Sequence, residues 1–171
     1  MFKSYILPIL EFATPIYNPY YAKDINALEK IQRDFVRLVY KRMPNYQKNP
    51  LNIPQYTELL TAFGLELLEI RRLKICLTMF HSYMNGHTPL GPSKAFLIMS
   101  SKTRGDSQKI ITRPCTKDVR HYSFFPRMST IYSQLPKNMR NSSCLNFSKQ
   151  LESFDLNPYL IVKKYEPFHR L

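Results

Sequence analysis

Residues 23–42 read Lys23-Asp-Ile-Asn-Ala-Leu-Glu-Lys-Ile-Gln-Arg-Asp-Phe-Val-Arg-Leu-Val-Tyr-Lys-Arg42, and their periodicity decides the fold class. Ile25, Leu28, Ile31, Phe35, Leu38 and Val39 recur at steps of three and four. That spacing predicts an amphipathic α-helix with these side chains on its buried face. Lys30, Arg33, Arg37 and Lys41 repeat with the same period on the opposite side, so a stripe of cations about 30 Å long is expected along the helix. Asp24 near the start and Arg42 at the end have the polarity favoured by the helix macrodipole. One face suits burial in protein; the other suits phosphate. The bland alternative is a solvated face on which Glu29 and Arg33 form an ordinary i,i+4 pair.

The charge balance favours phosphate. Lys and Arg total 25 against 12 Asp and Glu, a net charge of +13, and such an excess points to a polyanionic partner. Nucleic acid is the first candidate and an anionic membrane surface the second. With 44% apolar residues the chain has the composition of a globular fold rather than a disordered one. Its 171 residues suffice for one domain with a core and require no second.

Upstream of the helix, Phe2, Tyr5, Ile6, Ile9, Leu10 and Ala13 have helical spacing, with Pro8 expected to kink or delay the helix. Pro15 and Pro19 then mark a rigid connector. Downstream, Pro44, Pro50 and Pro54 mark a loop. A short helix is predicted over 55–63, capped by Gly64. A long one is predicted over 68–84, with Ile70, Leu73, Leu77, Phe80 and Met84 in its core stripe and Asn85-Gly86 as the stop. Arg71, Arg72 and Lys74 lie near its beginning, against the dipole. They meet either an external anion or Glu66 and Glu69.

Residues 87–102 read as a linker. Beyond it, the β-branched run around Lys109 to Arg113 predicts a strand or small hairpin within 103–120. A helix is expected over 121–134, interrupted by Pro126, and a last one over 144–154, capped by Ser142 or Ser143 and burying Leu145, Phe147 or Ser148, and Leu151. Residues 157–171 read as a poorly ordered end. The fold class is therefore mainly α: a helical bundle to residue 86, a small β element near 103–120, and a helical tail.

Catalytic patterns are scarce. Five isolated aspartates, Asp24, Asp34, Asp106, Asp118 and Asp155, offer no adjacent pair for a shared divalent metal. His81, His87, His121 and His169 lack a matched nucleophile or metal spacing, and His81 reads as a surface or half-buried helical residue. No glycine-rich phosphate loop is present. Cys76, Cys115 and Cys144 form neither a CxxC pair nor an even set, which fits a reducing compartment. The amino-terminal apolar run is broken by Pro8 and Glu11 before it takes signal-peptide form. No stretch approaches the roughly 20 apolar residues of a membrane span. The expected location is cytoplasmic or nuclear, with no cofactor and no small-molecule substrate.

A second basic group, Arg104, Lys109, Arg113, Lys117, Arg120 and Arg127, is interleaved with Tyr122, Phe124 and Phe125. Aromatics beside cations can stack the bases of a single strand. Phe124 and Phe125 also have core spacing, so their burial is expected, and the arginines are the stronger candidates.

Several blocks, taken in order, resemble the segment that follows the polymerase core in reverse transcriptases of non-LTR (LINE-type, jockey-like) retrotransposons. Ile9-Leu-Glu-Phe-Ala-Thr-Pro-Ile-Tyr17, preceded by Pro8, is similar to the family's P-I-L-E-Y-A-S-P-V-W element. Asp24-Ile-Asn-Ala-Leu-Glu-Lys-Ile-Gln-Arg33 is similar to its D-I-x-x-L-E-K-V-Q-R helix. Phe63-Gly-Leu-Glu-Leu-Leu-Glu-Ile-Arg-Arg72 resembles L-G-L-x-S-L-E-x-R-R. Thr103-Arg-Gly-Asp-Ser107, Ser123-Phe-Phe-Pro-Arg-Met128 and Gln134-Leu-Pro136 resemble T-R-G-x-S, F-F-x-x-R and x-x-L-P. Tyr17 and Tyr132 stand where the family usually has Trp, and Pro126 falls within the expected helix.

The resemblance implies a thumb-like helical region over 1–86, joined by 87–102 to a tail over 103–156. RNA or DNA is then the partner, gripped by the backbone through Lys30, Arg33, Arg37, Lys41 and Arg42, and through Arg104, Lys109, Arg113, Arg120 and Arg127. The family's fingers and palm, with the Tyr-x-Asp-Asp motif that RNA-directed DNA polymerase chemistry requires, are expected to be a further partner. Mg2+ is implied for that core only, and this chain is expected to be non-catalytic. A helical protein-interaction module and a remnant of a decayed element are the alternatives.

Overall fold

The computed structural model describes residues 2–44, 54–88, 97–100, 108–111 and 116–162. The described chain is mainly helical. A π-helical stretch, Phe2–Ile6, runs into α1, Leu7–Glu11. The widened turns stand just before Pro8, whose nitrogen has no proton to bond the preceding turn. The long helix α2 spans Ala22–Lys41 and ends at Arg42, as its pattern predicts. Helix α3, Tyr56–Ala62, is closed by a capping box between Gln55 and Glu58. Gly64 follows it at φ +58°, the left-handed conformation that glycine adopts without strain. Helix α4 covers Leu68–Met84, and Gly86 at φ +72° ends it.

The hairpin is placed earlier than its sequence signal. Strand β1, Leu97–Ser100, pairs antiparallel with β2, Gln108–Ile111, in the register Leu97 to Ile111 and Met99 to Lys109. Only β2 lies within the expected 103–120 window; β1 belongs to the segment read as linker. The helix expected over 121–134 is two elements, α5 at Asp118–His121 and α6 at Phe124–Gln134. The break falls at Tyr122-Ser123 rather than at Pro126. Pro126 is the third residue of α6, within the first turn, where backbone N–H groups have no helical acceptor and proline is tolerated. Helices α7, Lys137–Arg140, and α8, Cys144–Ser153, complete the series. Ser143 caps α8, its side chain accepting the Asn146 N–H.

The chain groups into two units. Unit 1 takes its described residues from Met1–Glu11, Pro19–Arg71 and Leu156–Leu171, and unit 2 from Phe12–Asn18 and Arg72–Asp155. Phe2, Leu7, Leu10, Val36, Tyr56, Leu59, Leu60, Leu65 and Leu68 form the core of unit 1, where Phe2 stacks on Phe35 at 4.2 Å between ring centroids. Unit 2 buries Leu73, Leu77, Phe80, Met128, Tyr132, Phe147 and Leu151. The 3-10 turn Asn157–Tyr159 leads to Leu160 and Val162, both buried. The Ile161 N–H donates to the Glu69 carboxylate at 2.7 Å. The first residues of the segment expected to be poorly ordered are thus packed; residues 163–171 lie outside the described residues.

Leu145 corrects another expectation, since it is 78% exposed while Phe147 and Leu151 are buried. Phe147 and Leu151 are four residues apart and share a helical stripe; Leu145, two residues before Phe147, points away from it.

Candidate nucleic-acid interface

The predicted buried stripe of α2 is displaced around the helix. The fully buried positions are Ile25, Glu29, Gln32 and Val36, a 4-3-4 spacing as regular as the apolar one. Polar groups hold its centre. The Glu29 carboxylate accepts the Leu68 N–H at 2.9 Å and the Tyr56 hydroxyl. Gln32 Nε2 donates to the Glu66 carbonyl at 2.8 Å and to Tyr56 at 3.1 Å. Burial raises the Glu29 pKa, outweighing these hydrogen bonds and the Arg33 charge, which lower it. Burial, with the Glu29 charge, likewise raises the Tyr56 hydroxyl.

This displacement sorts the cations. Arg33 and Arg37 each follow a buried residue, Gln32 and Val36, so they lie at the edge of the packed face and are half-buried. The Arg33 guanidinium sits over the Tyr56 ring, 5.4 Å from its centroid, a cation–π arrangement. The Nε atoms of Arg33 and Arg37 are buried. Lys23, Lys30, Lys41 and Arg42 are exposed. The same turn of the helix brings out Ile31 and Leu38, which are 46% and 49% exposed rather than buried. The outward side of α2 is therefore mixed, with four cations and the exposed Asp34 around two aliphatic side chains.

The cations at the start of α4 have partners within the chain. Arg71 pairs with Glu11, not with Glu66 or Glu69. Arg72 is buried, donating to the Tyr17 carbonyl and, at 3.5 Å, to Asn18 Oδ1. Lys74 pairs with Glu152 at 3.0 Å.

The second basic group belongs to unit 2. Arg120 and Lys117 are exposed, and Arg127 is half-buried. Lys109 lies in β2, its backbone in register with Met99; Arg104 and Arg113 lie outside the described residues. Arg127 borders a cavity of about 70 Å³ together with Asn18, Cys76, Tyr122 and Phe124. Burial pushes the Cys76 thiol up to about 11 against the opposing Arg127 and Arg72 charges, so the thiol is protonated and poorly nucleophilic. Phe124 and Phe125 are half-buried rather than fully buried, Phe124 against Phe80 and Phe125 against Tyr83, with centroids 6.2 and 5.1 Å apart.

His81 is fully buried, not a surface residue. Its ring stacks on Phe147 at 4.0 Å with an interplanar angle of 4°. Nε2 lies 3.0 Å from the Ser142 carbonyl and Nδ1 lies 2.9 Å from the Tyr132 hydroxyl. Asn85 Nδ2 also lies 3.0 Å from Nε2, and the Tyr132 hydroxyl donates to the Arg140 carbonyl at 3.3 Å, so both ring nitrogens are held by polar neighbours.

Among the described residues no group of three or more His, Cys, Asp or Glu is placed to hold a metal ion. No helix among the described residues is long and apolar enough to cross a membrane. No protein-family model, no curated protein and no solved structure matches the chain.

Proposed function

We propose that this chain is a non-catalytic, helical nucleic-acid-binding module related to the thumb and tail of non-LTR retrotransposon reverse transcriptases. The observation that carries the reading is the exposed set Lys23, Lys30, Lys41 and Arg42 on one helix, in a chain of net charge +13. Cations fixed on a rigid helix contact phosphates at defined intervals and give affinity without base sequence preference. Arg33 and Arg37 support that helix from its packed edge. The ordered sequence blocks support the ancestry; the cations support the partner.

Anisotropy titration of a single-stranded RNA tests it. With three to four phosphates neutralised, the log-log slope of affinity against salt is about −2 to −3. The triple variant Lys30→Glu, Lys41→Glu, Arg42→Glu is expected to abolish most binding while the circular dichroism spectrum is retained. A salt-insensitive interaction, or a triple variant that binds as tightly as the parent, overturns the reading.

One observation favours a second reading as a protein-interaction module. Ile31 and Leu38 are half-exposed and one heptad apart, the spacing with which a partner helix is seated. Ile31→Ser with Leu38→Ser leaves RNA affinity unchanged under the first reading and abolishes capture of a helical partner under the second.

A further inference from the structure

The interleaved aromatics of the second basic group have separate fates. Phe124 and Phe125 turn into unit 2, whereas Tyr122 remains 39% exposed at the carboxyl end of α5, and its neighbour His121 is exposed. The two rings meet edge to face, with centroids 5.0 Å apart and an interplanar angle of 87°. Lys117, the residue before α5, and Arg120 within it are both exposed. Asp118 is the sole acidic residue between Thr116 and Met128.

This corner is held in place. The Tyr122 N–H donates to the Asp118 carbonyl at 2.9 Å, and the His121 N–H to the Lys117 carbonyl at 3.0 Å. The Ser123 hydroxyl donates to the Arg120 carbonyl at 2.7 Å, fixing the turn into α6. Behind the Tyr122 ring lies the cavity bordered by Arg127 and Phe124. Its volume is about 70 Å³.

We infer that Tyr122, with His121 beside it and Lys117 and Arg120 at its flank, is a base-stacking platform for single-stranded nucleic acid. The inference rests on the phosphate-binding reading and adds to it a preference for unpaired strands. A base stacks on an aromatic face only when it is not already covered by neighbouring base pairs, while cations near the ring hold the adjoining phosphates. Duplex and single strand present phosphates alike to α2; only the single strand presents a base to Tyr122.

The test uses the full chain with an oligouridylate of about 12 nucleotides, within the usual span of one stacking surface, and an RNA duplex of equal length. Tyr122→Ala is expected to weaken single-strand binding about tenfold, toward the low end of losses for one stacked base, with duplex affinity and salt slope unchanged. Tyr122→Phe restores the parent affinity. Lys117→Ala with Arg120→Ala makes the single-strand slope shallower by about 1.4. A Tyr122→Ala chain that binds the single strand as the parent does overturns the inference. So does equal loss on both probes, or failure of Tyr122→Phe to rescue. If these occur while Lys30→Glu, Lys41→Glu, Arg42→Glu still abolishes binding, the platform fails and the phosphate reading stands. If the parent chain binds neither probe, both fall.

Discussion

The Glu29 carboxylate accepts the main-chain N–H of Leu68 at 2.9 Å across 39 residues of sequence. Leu68 is the first residue of α4, so a carboxylate from the middle of α2 caps the start of the next long helix. The first N–H groups of a helix have no acceptor within it, and the helix dipole favours negative charge there. Tyr56 from α3 donates to the other oxygen of the same carboxylate. One side chain thereby ties together α2, α3 and the start of α4, and it fixes which way α2 faces.

Removing that side chain leaves the buried Leu68 N–H and the Tyr56 hydroxyl without it. Glu29→Ala is expected to destabilise the protein by about 2–4 kcal/mol, each orphaned buried group costing about 1–3 kcal/mol. Glu29→Gln keeps one acceptor and the shape, and is expected to lose less. The pH dependence has a definite sign. Burial raises the Glu29 pKa above the ordinary 4.5, so the folded state binds the proton more tightly than the unfolded state. Stability from this group is fully present below 4.5 and is lost as pH rises toward the raised value. Urea denaturation across that window should show the parent losing stability relative to Glu29→Gln; parallel curves would refute the account.

The rotation set by Glu29 predicts that neighbouring cations on α2 behave in opposite ways. Arg33 lies over the Tyr56 ring, so Arg33→Ala is expected to lower stability by about 0.5–2 kcal/mol. Lys30→Ala, on the exposed side, is expected to change stability by less than about 0.5 kcal/mol. Binding should rank them the other way, with Lys30→Ala making the salt slope shallower by about 0.7. Thermal melts and RNA titrations of the two variants provide the check, and equal effects on stability would remove the distinction.

Helix limits were legible in the sequence because they depend on local chemistry. Arg42 at the end of α2, Gly64 and Gly86 after α3 and α4, and Ser143 before α8 each act within a turn or two. The facing of α2 was not legible, because it depends on partners far along the chain. Ile25, Glu29, Gln32 and Val36 repeat as regularly as the apolar set, but a buried glutamate is unfavourable until Leu68 and Tyr56 supply its hydrogen bonds. Once they do, Ile31 and Leu38 turn outward and Arg33 and Arg37 turn partly in. Lys30, Lys41 and Arg42 survive as candidate contacts for the same reason. Tyr122 was hidden among Phe124 and Phe125 until the break at Ser123 separated a surface corner from a core helix.

His81 gives unit 2 a pH dependence opposite to that of Glu29. Burial lowers its pKa from 6.5, with a smaller effect in the same direction from His87, while the hydrogen bond to the Ser142 carbonyl opposes. The unfolded chain therefore takes up the proton first as pH falls. Stability from the neutral ring is fully present above 6.5 and is lost as pH falls through 6.5 toward the lowered value. A second proton would make both ring nitrogens donors, so that Nε2 would face the Asn85 Nδ2 donor 3.0 Å away. Melting temperatures compared at pH 7.5 and pH 5.5 are expected to fall more for the parent than for His81→Gln, which keeps a donor and an acceptor without titrating. Because Glu29 is present in both chains, the difference isolates His81, and an equal fall in both would show that the ring does not titrate in this window.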